Sequence, residues 1–293
     1  GIVTLLVLFL DSIYQFIYGY NIIGLEKHSN RISSFFGEEL ILGSYVYKLV
    51  GIYLVCFILI QNEIKYKNVF LISLMSIAGI LIYFSAERVS IFSFIVLVSF
   101  IFILFKNLRK TLFLTFLIII LISFLSFYID PNYYVRIFLN TYYDILGEYF
   151  MREHIVLLRK TILMFINNPF LGVGPNMFRI ECLDEIYKIG INDYCTTHPH
   201  SIYFQILGET GLLGITPLIV IFLILNYSIL KYFLKKNKKN EINLKISTFL
   251  IIVIMINLIP LIPSGNFFGS YINIYYYLPL GFYLYSKYEK SQN

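Results

Sequence analysis

The sequence predicts an all-α fold, a polytopic integral membrane helix bundle of about eight spans with one large outer-face loop that contains short helices. Hydrophobic residues make up 58% of the chain and charged residues only 14%, whereas soluble domains carry about a quarter charged residues. Apolar runs close to the ~20 residues that cross a bilayer recur along the chain. They lie at about 1–18, 41–60, 68–84, 89–105, 111–129, 205–230, 246–263 and 270–286. We therefore expect a single transmembrane domain over residues 1–293, with the large loop at 130–204.

The first span begins abruptly at Gly1, without a methionine, and carries Asp11 within an apolar run. No basic segment precedes the run and no cleavage site follows it, as a signal peptide would require. We therefore expect an N-terminally truncated piece of a longer protein.

Basic connections predict how the spans are oriented, because excess Lys and Arg in short loops marks the cytoplasmic side of a membrane. Four segments are basic: 61–67, 106–110, 231–245 and the tail after 286. Counting spans from any one of them places the other three on the same side, so the C-terminus is expected in the cytoplasm. The outer face then comprises 19–40, the Glu87–Arg88 corner, 130–204 and 264–269.

The arginines are distributed against this bias. Apart from Arg109, they lie on the expected outer face: Arg31, Arg88, Arg136, Arg152, Arg159 and Arg179. They form either ordinary structural ion pairs or a site for phosphate or pyrophosphate, which suits the planar fork of arginine better than the point charge of lysine. The loop 130–204 has six Lys/Arg against eight Asp/Glu, so a few placed arginines are expected rather than a nonspecific polyanion surface, and no nucleic-acid partner is expected.

Residues 148–166 are predicted to form a helix that the Asn-Asn-Pro sequence at 167–169 ends. Glu148, Arg152 and Arg159 would share one face of this helix, since steps of four and seven residues keep to one stripe. The stripe is either the solvated side of a surface-lying amphipathic helix or a set of charges placed for binding.

A glycine-rich sequence, Gly-Val-Gly-Pro at 172–175, follows this helix. Its glycines predict a turn and a close approach of backbone. No Lys-Ser/Thr follows and no strand precedes it, so it is not expected to be a phosphate-binding loop.

His198-Pro199-His200-Ser201 is predicted to open the next helix, with the proline at the first helical position. His200 would then lie in the first turn, where the helix dipole lowers its proton affinity and keeps it a neutral base. A metal site or a capping histidine are the alternatives, but two histidines at i and i+2 share no helix face and no metal-ligand spacing is present. No metal is therefore expected.

Ser201, Gln205 and Glu209 would form a polar stripe that enters the membrane along the same helix. An acid within an apolar run is costly, so Glu209 is expected either to have a function or to pair with an outer arginine.

These segments, in this order, resemble the signature of the O-antigen ligase and polymerase superfamily of bacterial membrane glycosyltransferases. The matching sequences are Asn-Pro-x-x-Gly-x-Gly-Pro at 168–175, His-x-His-Ser at 198–201 and Gly-Glu-Thr-Gly-Leu-Leu-Gly at 208–214. The Ser-Ala-Glu-Arg corner that ends at Arg88 resembles an outer-face arginine element of the superfamily. Arg152 resembles the arginine that precedes the Asn-Pro turn, but its spacing departs from the family's, so Arg159 is a rival.

The resemblance implies a membrane glycosyltransferase that polymerises undecaprenyl-diphosphate-linked oligosaccharide repeat units at the outer face of the inner membrane, with the active site in a periplasmic loop. Fixed arginines would stabilise the departing diphosphate, and a neutral histidine would accept the proton of the acceptor hydroxyl. The implied catalytic residues are His200, Arg88 and Arg152. The implied substrate-binding residues are Arg159, Arg31, His198 and Glu209.

No cofactor is implied, and the expected partners are the lipid-linked glycan donor, the glycan acceptor and the bilayer, together with a chain-length regulator or other polysaccharide assembly proteins. Two other functions stay open. One is an O-antigen ligase that transfers the glycan to the lipid A core of lipopolysaccharide, although residues 31–45 resemble an outer-loop segment of the polymerases. The other is a transporter of polysaccharide or lipid, which would place charges in several spans and show internal repeats.

The cysteines divide into two groups. Cys56 falls in the middle of a span and is expected to be a small core residue. Cys182 and Cys195 both fall in the outer loop, which would be an oxidising compartment in a Gram-negative periplasm. They are expected to form a disulfide just before His198.

Overall fold

The computed structural model describes residues 2–28, 31–60, 65–131, 135, 137, 149–190, 193–234, 242–260 and 262–292. Ten α-helices account for most of these residues, and the only β-structure among them is two isolated bridges. The described part of the chain is therefore all-helical, as the composition predicts.

The helices follow the predicted apolar runs closely. Five precede the large loop: α1 (Ile2–Tyr18), α2 (Leu42–Ile60), α3 (Lys67–Ser85), α4 (Arg88–Leu104) and α5 (Arg109–Ile129). Two lie within it: α6 (Tyr149–Asn167) and the single turn α7 (Phe178–Glu181). Three follow it: α8 (Ile202–Leu234), α9 (Ile242–Asn257) and α10 (Ser270–Gln292).

Three of these helical segments are both long and apolar enough to cross a membrane: Lys67–Ser85, Lys106–Ile129 and Ile202–Leu234. The second includes a short 3-10 turn ahead of α5. Four shorter apolar segments lie at Ile2–Tyr18, Leu42–Ile58, Arg88–Leu104 and Leu244–Asn257. By length and composition, three spans of the expected eight are thus confirmed within the described residues.

Two helices depart from the sequence-based expectation. The apolar run 246–263 is helical only to Asn257, because Pro260 and Pro263 lack the N–H that a helix interior requires. Helix α8 changes direction at Gly211, whose backbone has φ 60° and ψ −155°. That conformation is accessible essentially only to glycine.

The chain divides into two compact units, and the residues of α9 are divided between them. Unit 1 comprises residues 1–143 and 241–253, and unit 2 comprises residues 144–240 and 254–293.

Helix α3 forms the centre of unit 1, where it packs against α1, α2, α4 and α5. The unexpected acid in the first helix has a structural explanation there. Asp11 accepts hydrogen bonds from the backbone of Ile22 at 3.0 Å and from the hydroxyl of Ser34 at 2.5 Å. One turn further along α1, Gln15 accepts from the backbone of Ser33 and Ser34. These two buried side chains therefore fasten the segment 19–40 to α1.

In unit 2, helix α6 packs lengthwise against the first part of α8. The two helices come close at Gly208, where a Cβ would lie 3.2 Å from the Cβ of Thr161. Beyond this contact, Leu157, Met164, Phe178, Cys182 and Tyr187 form a buried apolar cluster. The cluster joins α6 to the segment that follows it and so gives the large loop a packed core.

Candidate active site

The two glycine-rich motifs of the sequence lie against each other in unit 2. The backbone N–H groups of Val173 and Gly174 donate to the carbonyls of Gly208 and Glu209 at 3.0 and 2.8 Å. In return, the N–H of Leu212 donates to the carbonyl of Pro169 at 2.8 Å. These hydrogen bonds hold the turn at 168–175 directly on the bend of α8.

This backbone approach explains two of the glycines. Gly172 has φ +64°, and a Cβ there would overlap the backbone of Glu209 and Thr210. Gly211 has φ +60°, and its Cβ would lie 2.5 Å from the carbonyl carbon of Phe170. Any side chain at either position would separate the two motifs.

Glu209 is fully buried at the centre of this contact. Its carboxylate accepts the backbone N–H of Phe178 at 2.8 Å and that of Asn176 at 2.9 Å. The side-chain amide of Gln205 donates to it at 3.2 Å. With both oxygens engaged, Glu209 holds the segment 176–178 on α8 through backbone groups and a neutral amide.

Gln205 extends this network to the turn at 264–269. Its amide nitrogen donates to Oδ1 of Asn266 at 2.7 Å, and its carbonyl oxygen accepts the N–H of Phe267 at 2.9 Å. Asn266 in turn donates to Oδ1 of Asn176 at 2.9 Å. The sequence had placed this turn on the outer face without a role, and the structure makes it a partner of both motifs.

The histidine-rich segment differs from its prediction. Helix α8 begins only at Ile202, so Pro199 does not occupy the first helical position and His200 precedes the first turn. His200 has φ 53°. Ser264 accounts for this geometry, since its N–H donates to the carbonyl of His200 at 2.9 Å and its hydroxyl accepts the N–H of Ile202 at 2.9 Å. A serine distant in sequence thus caps the helix that Pro199 was expected to start.

Three imidazole rings meet at this point. The ring centroid of His200 lies 4.3 Å from that of His198 and 5.6 Å from that of His154. His198 is itself held between the hydroxyl of Thr197, 3.0 Å from Nδ1, and the carbonyl of Ser264, 3.2 Å from Nε2. Among the described residues, no group of three or more His, Cys, Asp or Glu is arranged to hold a metal ion.

Burial, and to a smaller extent the neighbouring His198 and His154, together lower the pKa of His200 to about 4. The imidazole is therefore neutral at neutral pH, which is the protonation state of a general base. From the sequence, the positive end of a helix dipole is the expected cause of the lowered pKa of His200. Desolvation is instead the largest cause, because His200 lies outside the helix.

Cys182 and Cys195 of the large loop lie side by side as a disulfide, with their Cα atoms 5.8 Å apart, whereas Cys56 is exposed and is not the core residue that the sequence predicts. Lys160 of α6 holds the same loop from inside. Its fully buried ammonium donates to the carbonyl of Cys182 at 2.5 Å and to the carboxylate of Asp193 at 2.8 Å, and this hydrogen bond lowers the pKa of Asp193. The chain is thus held at both ends of the loop just before His198.

The two rival arginines both fall on α6. Arg152 lies in its first turn, where the side chain is outside the described residues. Arg159 is exposed beside the buried Lys160. Glu148 and Arg136 also lie outside the described residues, so the predicted stripe of Glu148, Arg152 and Arg159 stays a prediction.

The other candidate arginines belong to unit 1. Arg88 is the first residue of α4. Arg31 donates to the carbonyl of Ser85 at 3.1 Å and to that of Leu40 at 2.7 Å, and its guanidinium lies 3.7 Å from Glu87.

Glu87 also has a structural role in this corner. Its carboxylate accepts the N–H groups of Gly43 and Ser44 at the start of α2. Burial raises the pKa of Glu87, while the hydroxyl of Ser90, the charge of Arg31 and these backbone N–H groups act in the opposite direction. Glu87 and Arg31 therefore stabilise the corner that contains Arg88.

These features define a helical membrane protein with an imidazole cluster immediately ahead of a long apolar helix. A family model described as O-antigen ligase matches residues 72–219, about half of the chain. The chain belongs to this family, which confirms the resemblance and identifies a glycosyltransferase-like membrane enzyme. The matched segment includes Arg88, Arg152, both glycine motifs and the three histidines. No curated protein and no solved structure matches the chain.

Proposed function

We propose that this chain is a membrane glycosyltransferase that polymerises undecaprenyl-diphosphate-linked oligosaccharide repeat units at the outer face of the bacterial inner membrane. The observation that carries this proposal is the neutral imidazole of His200, which lies in the segment matched by the family model and whose backbone is held by Ser264. The family's description supports one further candidate, an O-antigen ligase that transfers the glycan to lipid A core.

The orientation follows from the basic connections. The segments 61–67, 106–110 and 231–245 are assigned to the cytoplasm by their lysines and Arg109. The loop 130–204 then faces the periplasm and the C-terminus faces the cytoplasm. Lipid-linked glycans are presented to the chain from the outer leaflet in this arrangement.

The reaction joins an acceptor hydroxyl to the anomeric carbon of the donor glycan. As the new C–O bond forms, the bond from that carbon to the diphosphate breaks, and its electron pair goes to the departing diphosphate. His200 accepts the hydroxyl proton as general base. Arg88 and Arg152 stabilise the charge that develops on the diphosphate, and such fixed donors act most strongly where water is excluded.

Supporting roles are assigned to the remaining candidates. Arg159 is the substitute for Arg152 at the diphosphate, and His198 contacts substrate beside His200. Arg31 and Glu209 were expected to bind substrate directly. Their observed hydrogen bonds support a positioning role for both, Arg31 through the corner at Arg88 and Glu209 through the segment 176–178.

Deletion of the gene in its own host separates the candidates. Loss of a polymerase leaves single repeat units on the surface glycolipid, whereas loss of a ligase leaves unmodified lipid A core and accumulates lipid-linked polymer. We expect single repeats, and a full ladder again on complementation with the full-length gene. Accumulated lipid-linked polymer would establish the ligase instead. An unchanged ladder together with a blocked uptake or export of glycolipid would favour the transporter.

A further inference from the structure

The third imidazole of the cluster, His154, comes from helix α6 and is not part of the sequence signature around His200. We infer that His154 is a positioning residue of the reaction site, which sets the orientation of the His200 imidazole through ring contact. The inference rests on the proposed general-base role of His200 and adds to that role a residue on a different helix.

The register between α6 and α8 places His154 at this position. The two helices are in close contact where Thr161 meets Gly208. His154 precedes Thr161 by seven residues, which is close to two turns of an α-helix and therefore returns to the same face. Two turns of α6 advance ~10 Å along its axis. The part of α8 between its first residue and Gly208 has about the same length. The close helix contact thus brings His154 level with His200.

The orientation of the His200 ring needs this contact. Its backbone is fixed by the hydrogen bond from Ser264 to its carbonyl, and its ring contacts two other imidazoles. His198 is tilted by 60° against it, and His154 meets it edge to face at 82°. Edge-to-face pairs are a favoured geometry for flat rings, so the His154 ring restrains the plane of the His200 imidazole.

The same contact favours the neutral form of His200. An imidazolium at His200 would lie beside two further imidazoles in a partly buried place, and both His198 and His154 lower the pKa of His200. During the reaction the proton from the acceptor hydroxyl resides on His200. A ring held in one orientation can accept it without first rotating.

The experiment compares His154→Ala with His154→Phe in membranes of the deletion host, supplied with lipid-linked repeat units extracted from the same strain. For His154→Ala we expect kcat to fall about 10- to 100-fold, as for a misoriented reacting group, with KM changed by less than about twofold because the diphosphate contacts lie on arginines. His154→Phe restores an aromatic edge and should recover most of the lost kcat. Ile166→Ala, an exposed position on the same helix, should match wild type.

Two outcomes would overturn the inference: wild-type kcat for His154→Ala, or a His154→Phe variant as impaired as His154→Ala. A second measurement does not depend on activity. The rate at which diethyl pyrocarbonate modifies His200, followed by mass spectrometry of the peptide, should rise several-fold in His154→Ala and stay near wild type in His154→Phe. If that pattern holds but His200→Ala remains fully active, the ring contact is correct and the proposed general base is wrong.

Discussion

His200 illustrates how a single residue acquires its chemical character from its surroundings. It precedes α8 with φ 53°, its carbonyl accepts from Ser264, and burial together with two neighbouring rings lowers its pKa to about 4. A histidine in this state can accept a proton at neutral pH. Arg31 and Glu209 differ from His200, because their side chains form hydrogen bonds with backbone groups and so have structural roles.

The first prediction at this scale concerns His200→Ala. The substitution should abolish chain growth, because the proposed general base is lost, while abundance in the membrane stays near normal since the segment contributes little to helix packing. The glycan ladder, compared at matched protein levels, measures the effect. Lys188→Ala, an exposed position that pairs with the neighbouring Glu185, serves as control. Full-length polymer from His200→Ala would exclude the general-base role.

Arg88→Lys gives the second prediction. The substitution keeps the positive charge but removes the planar, two-pronged donor geometry that matches a diphosphate. We expect chain growth to fall about 100-fold, the size of effect seen when a transition-state donor is lost, with the protein still present at normal levels. The matched control is Arg109→Lys, which lies in a basic connection. Equal activity of the two variants would mean that the diphosphate binds elsewhere.

At the scale of elements, helix ends and bends decide where the site lies. The turn at 168–175 lies on the bend of α8 because neither Gly172 nor Gly211 carries a Cβ. The turn at 264–269 caps α8 through Ser264 and reaches Glu209 through Gln205. Hydrogen bonds from these two turns, made by backbone groups and by side chains, thus hold the site segments in place.

Gly211→Ala should therefore be destabilising. Alanine would have to adopt a backbone conformation that costs about 1–3 kcal/mol, and its Cβ would also overlap the carbonyl of Phe170. We expect a lower midpoint of thermal unfolding in detergent and a loss of chain growth. Gly281→Ala is the matched control, because a Cβ there meets no atom within 4 Å and alanine favours a helix over glycine. Equal unfolding midpoints for the two variants would contradict the proposed interlock.

The disulfide supplies the other prediction at this scale. When the protein is denatured without reductant, a thiol reagent should modify Cys56 only, because Cys182 and Cys195 are joined. Prior reduction should give modification at all three positions, which provides the internal control. Modification of all three cysteines before reduction would mean that Cys182 and Cys195 are not bonded. The hydrogen bonds of Lys160 would then hold that loop without a disulfide.

At the scale of the whole molecule, three apolar helices among the described residues have the length and composition of a membrane span, and four more are apolar but shorter. The orientation proposed from the basic connections places the C-terminus in the cytoplasm. A green fluorescent protein fused to the C-terminus should therefore be fluorescent, and alkaline phosphatase fused there should be inactive. Alkaline phosphatase fused after Gly269 should be active. The opposite pattern would reverse the topology and remove the periplasmic site.

The sequence by itself determined the helical membrane class, most helix positions and the family. These properties depend on apolar run length and on short motifs, which are local in the chain. The early end of α9 at Asn257 was also readable from Pro260 and Pro263, but a prediction based on the length of the apolar run 246–263 missed it.

Only the tertiary structure decided how the site is built. The start of α8 depends on Ser264, the neutral state of His200 depends on burial, and the contact with His154 depends on the Thr161–Gly208 register between two helices. Each involves residues separated by tens of positions in the chain. Local patterns carry no information about such pairs, because the free energy that selects them comes from packing and from hydrogen bonds between distant segments.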